Sequence, residues 1–300
     1  MTSSHSFDVV IIGGSYAGLS AAMALGRALR TVLIIDSGLP CNRQTPHSHN
    51  FLTRDGNTPA QIAAIGKEQV LRYDTVTFMT AIATRVEGEN NRFTVHTQSG
   101  KTVQARKLIF TTGIKDQLPA IPGLAECWGI SVIHCPFCHG YEYKHEPTGI
   151  LINGDKTFEF ARFIRNWSVQ LTVFTNGPAT ISADHRQALA DRKISIVEMP
   201  LQGIEHNKGY LNTILLTDGT KVPLKALYAR LPFEQHCPIP QQLGCAFTDM
   251  GYIQVNDMQQ TTVPGVYAAG DNASAMRSVS GAVATGTKAG AAVVHELVSA

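Results

Sequence analysis

The 300-residue chain has no basic block or tail, and its 25 Lys and Arg against 23 Asp and Glu leave a formal charge of only +2. A nucleic-acid footprint needs clustered cations, so that class of partner is not indicated. Long apolar runs are missing too: the run that begins at Phe7 is broken by glycines before it could cross a bilayer. The start, MTSSHSFDVVIIGG, shows no basic segment leading into an apolar stretch and a small-residue cleavage site. These absences set the expectation of a soluble, cytoplasmic protein that uses neither membrane nor nucleic acid. Cysteine is sparse. Of Cys41, Cys127, Cys135, Cys138, Cys237 and Cys245, a single pair has C-x-x-C spacing, which argues against a secreted disulfide scaffold in a chain this long.

What is present is a repeated series of strand, glycine and helix signals, in a chain long enough for two domains. Phe7 to Ile12 reads as a buried parallel strand, followed by Gly13, Gly14, Ser15, Tyr16, Ala17 and Gly18 and then the helical run LSAAMALGRAL. The next strand, Thr31 to Ile35, ends at Asp36. Strand, glycine turn, helix, strand and terminal acid form a dinucleotide-binding βαβ unit, in which the helix start receives pyrophosphate and the acid accepts from ribose. Ser15 replaces the middle glycine of the pattern, which a small side chain tolerates if its φ is negative. In the polar loop beyond Asp36, Arg43, His49, Arg54 and Asp55 are candidates for cofactor contacts, with satisfaction of loop hydrogen bonds as the bland alternative. Strands are expected over Thr75 to Thr84, Arg92 to Thr97 and Lys101 to Phe110; the last leads into Thr111, Thr112 and Gly113, small enough to pack against a nucleotide.

A second βαβ unit starts at Gly149 to Asn153, but its turn is altered. Ile152 stands where the first glycine of the pattern belongs, and Thr175-Asn176-Gly177 after the second strand offers neither a cation for a 2′-phosphate nor an acid for ribose. Near the chain end, Gly251 to Val255 and then VPGVYAAGDN read as strands, the latter closed by Gly270 and Asp271, before a helix over about Val279 to Val298. An acid after a strand-closing glycine suits a ribityl hydroxyl, and the helix start suits phosphates or a flavin ring. The expected fold is therefore α/β, with two dinucleotide-binding, Rossmann-like three-layer domains. The first is discontinuous, 1–117 with 242–300, and the second, 118–241, is inserted.

Inside the insertion lies His134-Cys135-Pro136-Phe137-Cys138-His139. Two thiols at this spacing close a small ring and exchange electrons with another disulfide. Zinc is the competing use, but no second C-x-x-C follows, and on a short helix the adjacent His-Cys pairs point in different directions, so no metal is expected. His139, more than His134, is a candidate for moving a proton and stabilising a thiolate, because imidazole changes charge near neutrality.

Taken together, Gly13 to Gly18 with Asp36, Thr111-Thr112-Gly113, Cys135-Pro136-Phe137-Cys138, Gly154-Asp155 and Gly270-Asp271 resemble the low-molecular-weight thioredoxin reductase family of flavoproteins over essentially the whole chain. The resemblance implies bound FAD, a homodimer, and an inserted pyridine-nucleotide domain carrying redox cysteines. It further implies that Cys138 faces the flavin while Cys135 attacks the partner disulfide. CPFCHGYE is similar to a branch that includes fungal dithiol oxidases and bacterial members lacking the usual NADPH site. Three departures, Ile152, Thr175-Asn176-Gly177 in place of a His-Arg-Arg-like phosphate reader, and His139 in place of aspartate, point away from efficient NADPH use. The expected partner is a thioredoxin-like protein or a small-molecule dithiol or disulfide. Ferredoxin or another donor, a second flavin, or another electron carrier stay open as sources of electrons. NADPH-dependent thioredoxin reduction, oxygen-dependent dithiol oxidation and a non-catalytic flavoprotein are the alternative readings.

Overall fold

The computed structural model describes residues 6–299, which form two compact bodies. The first comprises the chain through Arg43, Asn50–Lys115 and the stretch from Phe233 onward; the second comprises Gln44–His49 and Asp116–Pro232. The return to the first body comes at Phe233 rather than at 242, because Phe233–Gln235 pairs with Ile114–Asp116 in a two-stranded sheet and so holds the linker there. Residues 44–49 join the second body through tertiary contacts that no sequence signal announces.

In the first body the central sheet runs Val76–Thr80, Val32–Asp36, Ser6–Ile12, Thr102–Phe110, Arg92–Thr97, Ala83–Glu89, with Val266–Ala268 also on Thr102–Phe110. The inner strands are parallel, Ile11 opposite Ile34 and Ile109. Strands buried on both faces read as continuous apolar runs, and Val9 to Ile11 and Val32 to Ile35 are at most 1% exposed. The helices Tyr16–Arg27 and Val279–Ser299 cross closely where Gly286 and Gly290 sit over the carbonyls of Ala17 and Ala21; a Cβ at either glycine would strike them. On the same body Lys107, wholly buried, donates to Asn90 Oδ1 (2.6 Å) and pairs with Glu296, which also accepts from the Tyr267 hydroxyl. Burial works to raise the Glu296 carboxyl, but the bonds from Lys107 and Tyr267 outweigh it and hold the carboxyl low.

The second body has an all-parallel sheet in the order Ser195–Val197, Leu171–Phe174, Thr148–Leu151, Ala226–Ala229, Val132–Ile133, with a separate antiparallel sheet of Leu201–Asn207, Tyr210–Leu216 and Lys221–Pro223. Two strand expectations change. The stretch from Thr75 to Thr84 is two strands, because Ala81 N–H turns to the Asp36 carbonyl (2.9 Å) and the chain swaps partners there. Gly251 to Val255 contributes an isolated bridge between Ile253 and Phe247 instead of a strand, its Ile253 N–H going to the Asn272 carbonyl (2.8 Å). Among the described residues no helix is long and apolar enough to cross a membrane.

Candidate active site

The first site is the turn after Ser6–Ile12. Gly13 has φ 107° and packs against the Thr111 carbonyl, where a Cβ has no room. Thr111 completes the clamp, its hydroxyl donating to the Gly13 carbonyl (2.6 Å) and its N–H to the Ile12 carbonyl (2.8 Å). A side chain on Gly18 would collide with the Gly13 carbonyl, so the helix starts hard against the turn. Ser15 is the N-cap with φ −85°, the negative value its side chain requires; its hydroxyl caps no amide, and the first helical turn, through Tyr16 and Ala17, carries no acid. Those helix-start amides and the dipole behind them are the elements that hold a pyrophosphate.

Asp36 braces this turn, Oδ2 accepting from Gly14 N–H (2.6 Å) and Oδ1 from Gly38 N–H (2.7 Å). Each carboxylate oxygen has a second lone pair left for ribose. Beside it opens a hollow of about 350 Å³ lined by Ser37, Thr80, Ala81, Ile82, Gln98 and Ser99, which sequence reasoning missed because separate strand ends build it. Thr112 Oγ1 is buried with no hydrogen-bond partner, and Gly113 (φ 63°) leaves open space where a side chain would project. Gly270 (φ 86°) lies against Ala17 and donates to Thr285 Oγ1 (3.1 Å), while Asp271 Oδ2 sits 3.8 Å from Arg277 Nε. Buried Asn272 anchors that segment by donating to the Phe110 carbonyl (2.9 Å) and leaves its Oδ1 without a partner, another role the sequence did not reveal. Arg43 donates to the Pro40 carbonyl (3.2 Å) within its own exposed loop. His49 belongs to the second body, where it faces Glu142.

The second site is the cysteine pair. Cys135 caps the single turn Pro136–His139, Cys138 N–H returns to the Cys135 carbonyl (3.2 Å), and the two sulfurs are joined in a disulfide with Cα atoms 5.3 Å apart. Gly140 ends the turn against the Pro136 carbonyl and Trp167, which exclude any side chain there. Burial raises the thiols of Cys127, Cys237 and Cys245, as fits inert structural cysteines. His139 departs from the sequence expectation of a group titrating near neutrality. Burial, then the nearby His49, push it down to about 4 against a smaller opposing effect of the Cys135 backbone, so at neutral pH it is a proton acceptor and not a cation. His134 stacks on Trp128, ring centroids 6.1 Å apart.

The third site is the altered turn of the second body. Asn153 Oδ1 accepts from Gly154 N–H (2.9 Å), Thr180 N–H (2.9 Å) and Thr180 Oγ1 (3.2 Å), and its amide donates to the Pro178 carbonyl (3.0 Å). Asp155 is the N-cap of Lys156–Ile164, and Glu159 is in its first turn. Arg186 is engaged by Glu198 (2.7 Å) and by the carbonyls of Ala179 and Ile181.

The sequence profile of the pyridine nucleotide-disulphide oxidoreductases matches residues 7–286. The chain belongs to that family. This oxidoreductase is 33% identical to thioredoxin reductase sirT of Leptosphaeria maculans over 98% of its own length and 95% of the relative's. Among solved structures, an oxidoreductase from Agrobacterium tumefaciens shares 37% identity at a TM-score of 0.91, covering 98% of this chain and 99% of that one. HlmI shares 32% at a TM-score of 0.91, covering 99% and 94%. The chain is thus an FAD-dependent disulfide oxidoreductase with the thioredoxin reductase fold, and the cradle of Gly13, Gly14 and Gly18 with the unpartnered Thr112 hydroxyl fits FAD.

Proposed function

We propose that this oxidoreductase moves two electrons between a dithiol or disulfide substrate and FAD through Cys135 and Cys138, without efficient use of NADPH. The plugged turn carries that reading. A pyrophosphate needs free amides at the helix start, and here Asn153 Oδ1 takes the Gly154 amide of the turn while Asp155 and Glu159 add negative charge against the single Lys156. Arg186, the nearby cation, is committed to Glu198 and two carbonyls.

FAD, when bound, supplies the two-electron store for the dithiol exchange. Gly13, Gly14, Ser15, Tyr16, Ala17 and Gly18 would hold its pyrophosphate, Asp36 its ribose, and Thr112, Gly113, Gly270 and Asp271 the ring and ribityl end. Cys135 is the sulfur that meets substrate and Cys138 the one that resolves it, in a chain proposed to work as a homodimer. In an anaerobic titration, dithiothreitol should bleach the flavin within seconds while equimolar NADPH leaves it yellow; rapid, stoichiometric bleaching by NADPH would sink this reading. Cys135→Ser and Cys138→Ser should each retain flavin and lose dithiol bleaching by on the order of a thousandfold.

A small-molecule dithiol oxidised at the expense of oxygen is the second reading. It is supported by a groove of about 650 Å³ lined by Phe137, Phe163, Trp167, Glu159, Arg162 and Asn166. Phe137, between the two cysteines and 61% exposed, meets Phe163 and Trp167 at centroid distances of 5.8 and 5.7 Å, an aromatic surface of the size small ligands occupy. Return of oxidised flavin in air after dithiol reduction would favour it; a strict need for a thioredoxin-like protein would remove it.

A further inference from the structure

The redox turn is tied down on either side and gripped in its middle by one residue. Upstream, Ile133 lies in the parallel sheet opposite Tyr228. Downstream, His145 N–H donates to the Trp167 carbonyl (2.8 Å) and the Ser168 hydroxyl donates to the Glu146 carbonyl (2.6 Å), so the chain after the turn is fastened just past the end of the helix Lys156–Ile164. Between those ties the indole of Trp167 meets the turn twice. Its ring lies 5.7 Å from that of Phe137, edge to face at 88°. It also fills the space over Gly140, where a Cβ would come within 2.9 Å of the Trp167 Nε1. Phe163 closes the corner, its ring 5.4 Å from Trp167 and 5.8 Å from Phe137. Aromatic pairs in this arrangement attract beyond the area they bury.

A single helical turn does not stand by itself, because nucleation fixes several dihedrals for one hydrogen bond. While the disulfide is closed, the covalent bond supplies the missing constraint. Once it opens, packing alone keeps the two sulfurs near each other, and packing reaches the turn at Phe137, between the cysteines, and at Gly140, just after them. Trp167 makes both contacts.

We propose that Trp167 is a positioning residue for the redox pair: it keeps the Pro136–His139 turn in its ring-closing shape when the cysteines are reduced, and so favours the disulfide and lowers the potential of the couple. The inference rests on the reading of Cys135 and Cys138 as the exchanging pair. In the exchange, a reduced Cys135 gives up its proton and its thiolate attacks one sulfur of a substrate disulfide. That S–S bond breaks, and the departing sulfur takes the electron pair and a proton. Cys138 then loses its proton and attacks the Cys135 sulfur; the Cys135–Cys138 bond forms, and the second substrate sulfur leaves with the electron pair and takes a proton. The protein dithiol is oxidised by two electrons and the substrate disulfide is reduced by two. The closing attack is intramolecular, and it is the more favourable the less freedom the turn has to lose.

Phe137, Phe163 and Trp167 also line the groove beside the turn, and the two roles separate cleanly. Wall residues that only bind a ligand change how fast a given dithiol reacts and leave the dithiol–disulfide equilibrium where it was. A positioning residue moves that equilibrium.

The test equilibrates the FAD-loaded full chain anaerobically, at constant pH, with mixtures of reduced and oxidised dithiothreitol, and reads the Cys135–Cys138 dithiol fraction by quenched alkylation. Trp167→Ala should shift the midpoint about tenfold toward the dithiol, equal to about 30 mV for a two-electron couple, with flavin per chain unchanged. Phe137→Ala removes the same packing from the other side, and serves where Trp167→Ala does not fold. It should give a shift of the same size, and the two substitutions together should give no more than either alone, as for groups acting as one unit. Trp167→Phe should stay within about twofold of wild type, since it keeps an aromatic face against Phe137. An unmoved midpoint in a folded Trp167→Ala or Phe137→Ala chain, additive shifts, or a Trp167→Phe shift as large as that of Trp167→Ala would each overturn the inference. When the wild-type pair titrates and the variants do not move it, the reading of the cysteines stands and this inference alone falls. When the wild-type pair yields no dithiol at any ratio, that reading falls and takes this inference with it.

Discussion

The turn after Ser6–Ile12 and the turn after Thr148–Leu151 occupy the same position in the same wiring, parallel strand to helix to parallel strand, yet they differ in glycine content and in the charge at the helix start. At the first, Gly13, Gly14 and Gly18 bring backbone against backbone, Asp36 braces the loop from outside, and the helix start carries no acid. At the second, the Asn153 side chain takes the Gly154 amide and ties the turn to Thr180, and two acids sit at the helix start. The sheet and the helix packing survive either arrangement because they depend on apolar burial; nucleotide affinity depends on a few amides in the turn.

The sharpest way to break the comparison is to spoil the first turn as nature has altered the second. Gly18→Val drives a branched side chain into the Gly13 carbonyl and the Thr111 hydroxyl, and FAD retention should fall by at least about a hundredfold, read as flavin released per chain on denaturation. A stability contrast follows. Glu296→Ala leaves the buried Lys107 ammonium without its carboxylate and should destabilise the first body by about 3 kcal/mol in denaturant unfolding, whereas Arg186→Ala at the half-exposed Glu198 pair of the second body should change it by under about 1 kcal/mol.

Acid should separate the bodies as well. His139 binds its proton at about 4 when folded and near 6.5 when unfolded. The unfolded chain therefore holds more protons between those values, stability is full above about 6.5, and up to about 3 kcal/mol is lost as pH falls toward 4. Glu296, held below its ordinary value, withdraws stability from the first body at lower pH, as the solution falls through the carboxylate range. Hydrogen exchange resolved by segment should show residues of the second body losing protection first, and His139→Gln should abolish that order. The smallest expected effect is a gain: Asn153→Ala with Asp155→Ala frees the Gly154 amide and removes one charge, and should tighten nicotinamide dinucleotide binding by about tenfold in calorimetry. A gain of a thousandfold would mean that the plug alone had silenced an otherwise intact site.

Much of the molecule was legible in one dimension because its signals are local. Apolar runs of strand length, glycines at fixed offsets and an acid closing a strand identify the first unit from residues adjacent in sequence, since a turn that admits no Cβ has to be written with glycine. The spacing of Cys135 and Cys138 likewise fixed which sulfurs meet. The clamp made by Thr111 and the roles of Asn272 and Gly286 were not legible, because a hydroxyl, an amide or a missing Cβ acquires its role from a partner 98 or more residues away. Asn153 belongs between the two cases, since its neighbour Gly154 was in view but its reach to Thr180 was not.

By itself, then, the sequence determined the class of fold, the glycine turn of the first unit and the paired cysteines, for these depend on backbone conformation and on residues a few places apart. Tertiary structure alone decided that Asn153 reaches Thr180, that residues 44–49 pack with the second body, and that His139 lies buried. The physical reason is desolvation. Whether an amide is free, or an imidazole neutral, is set by which distant groups exclude water from it, and that is known only when the chain has closed.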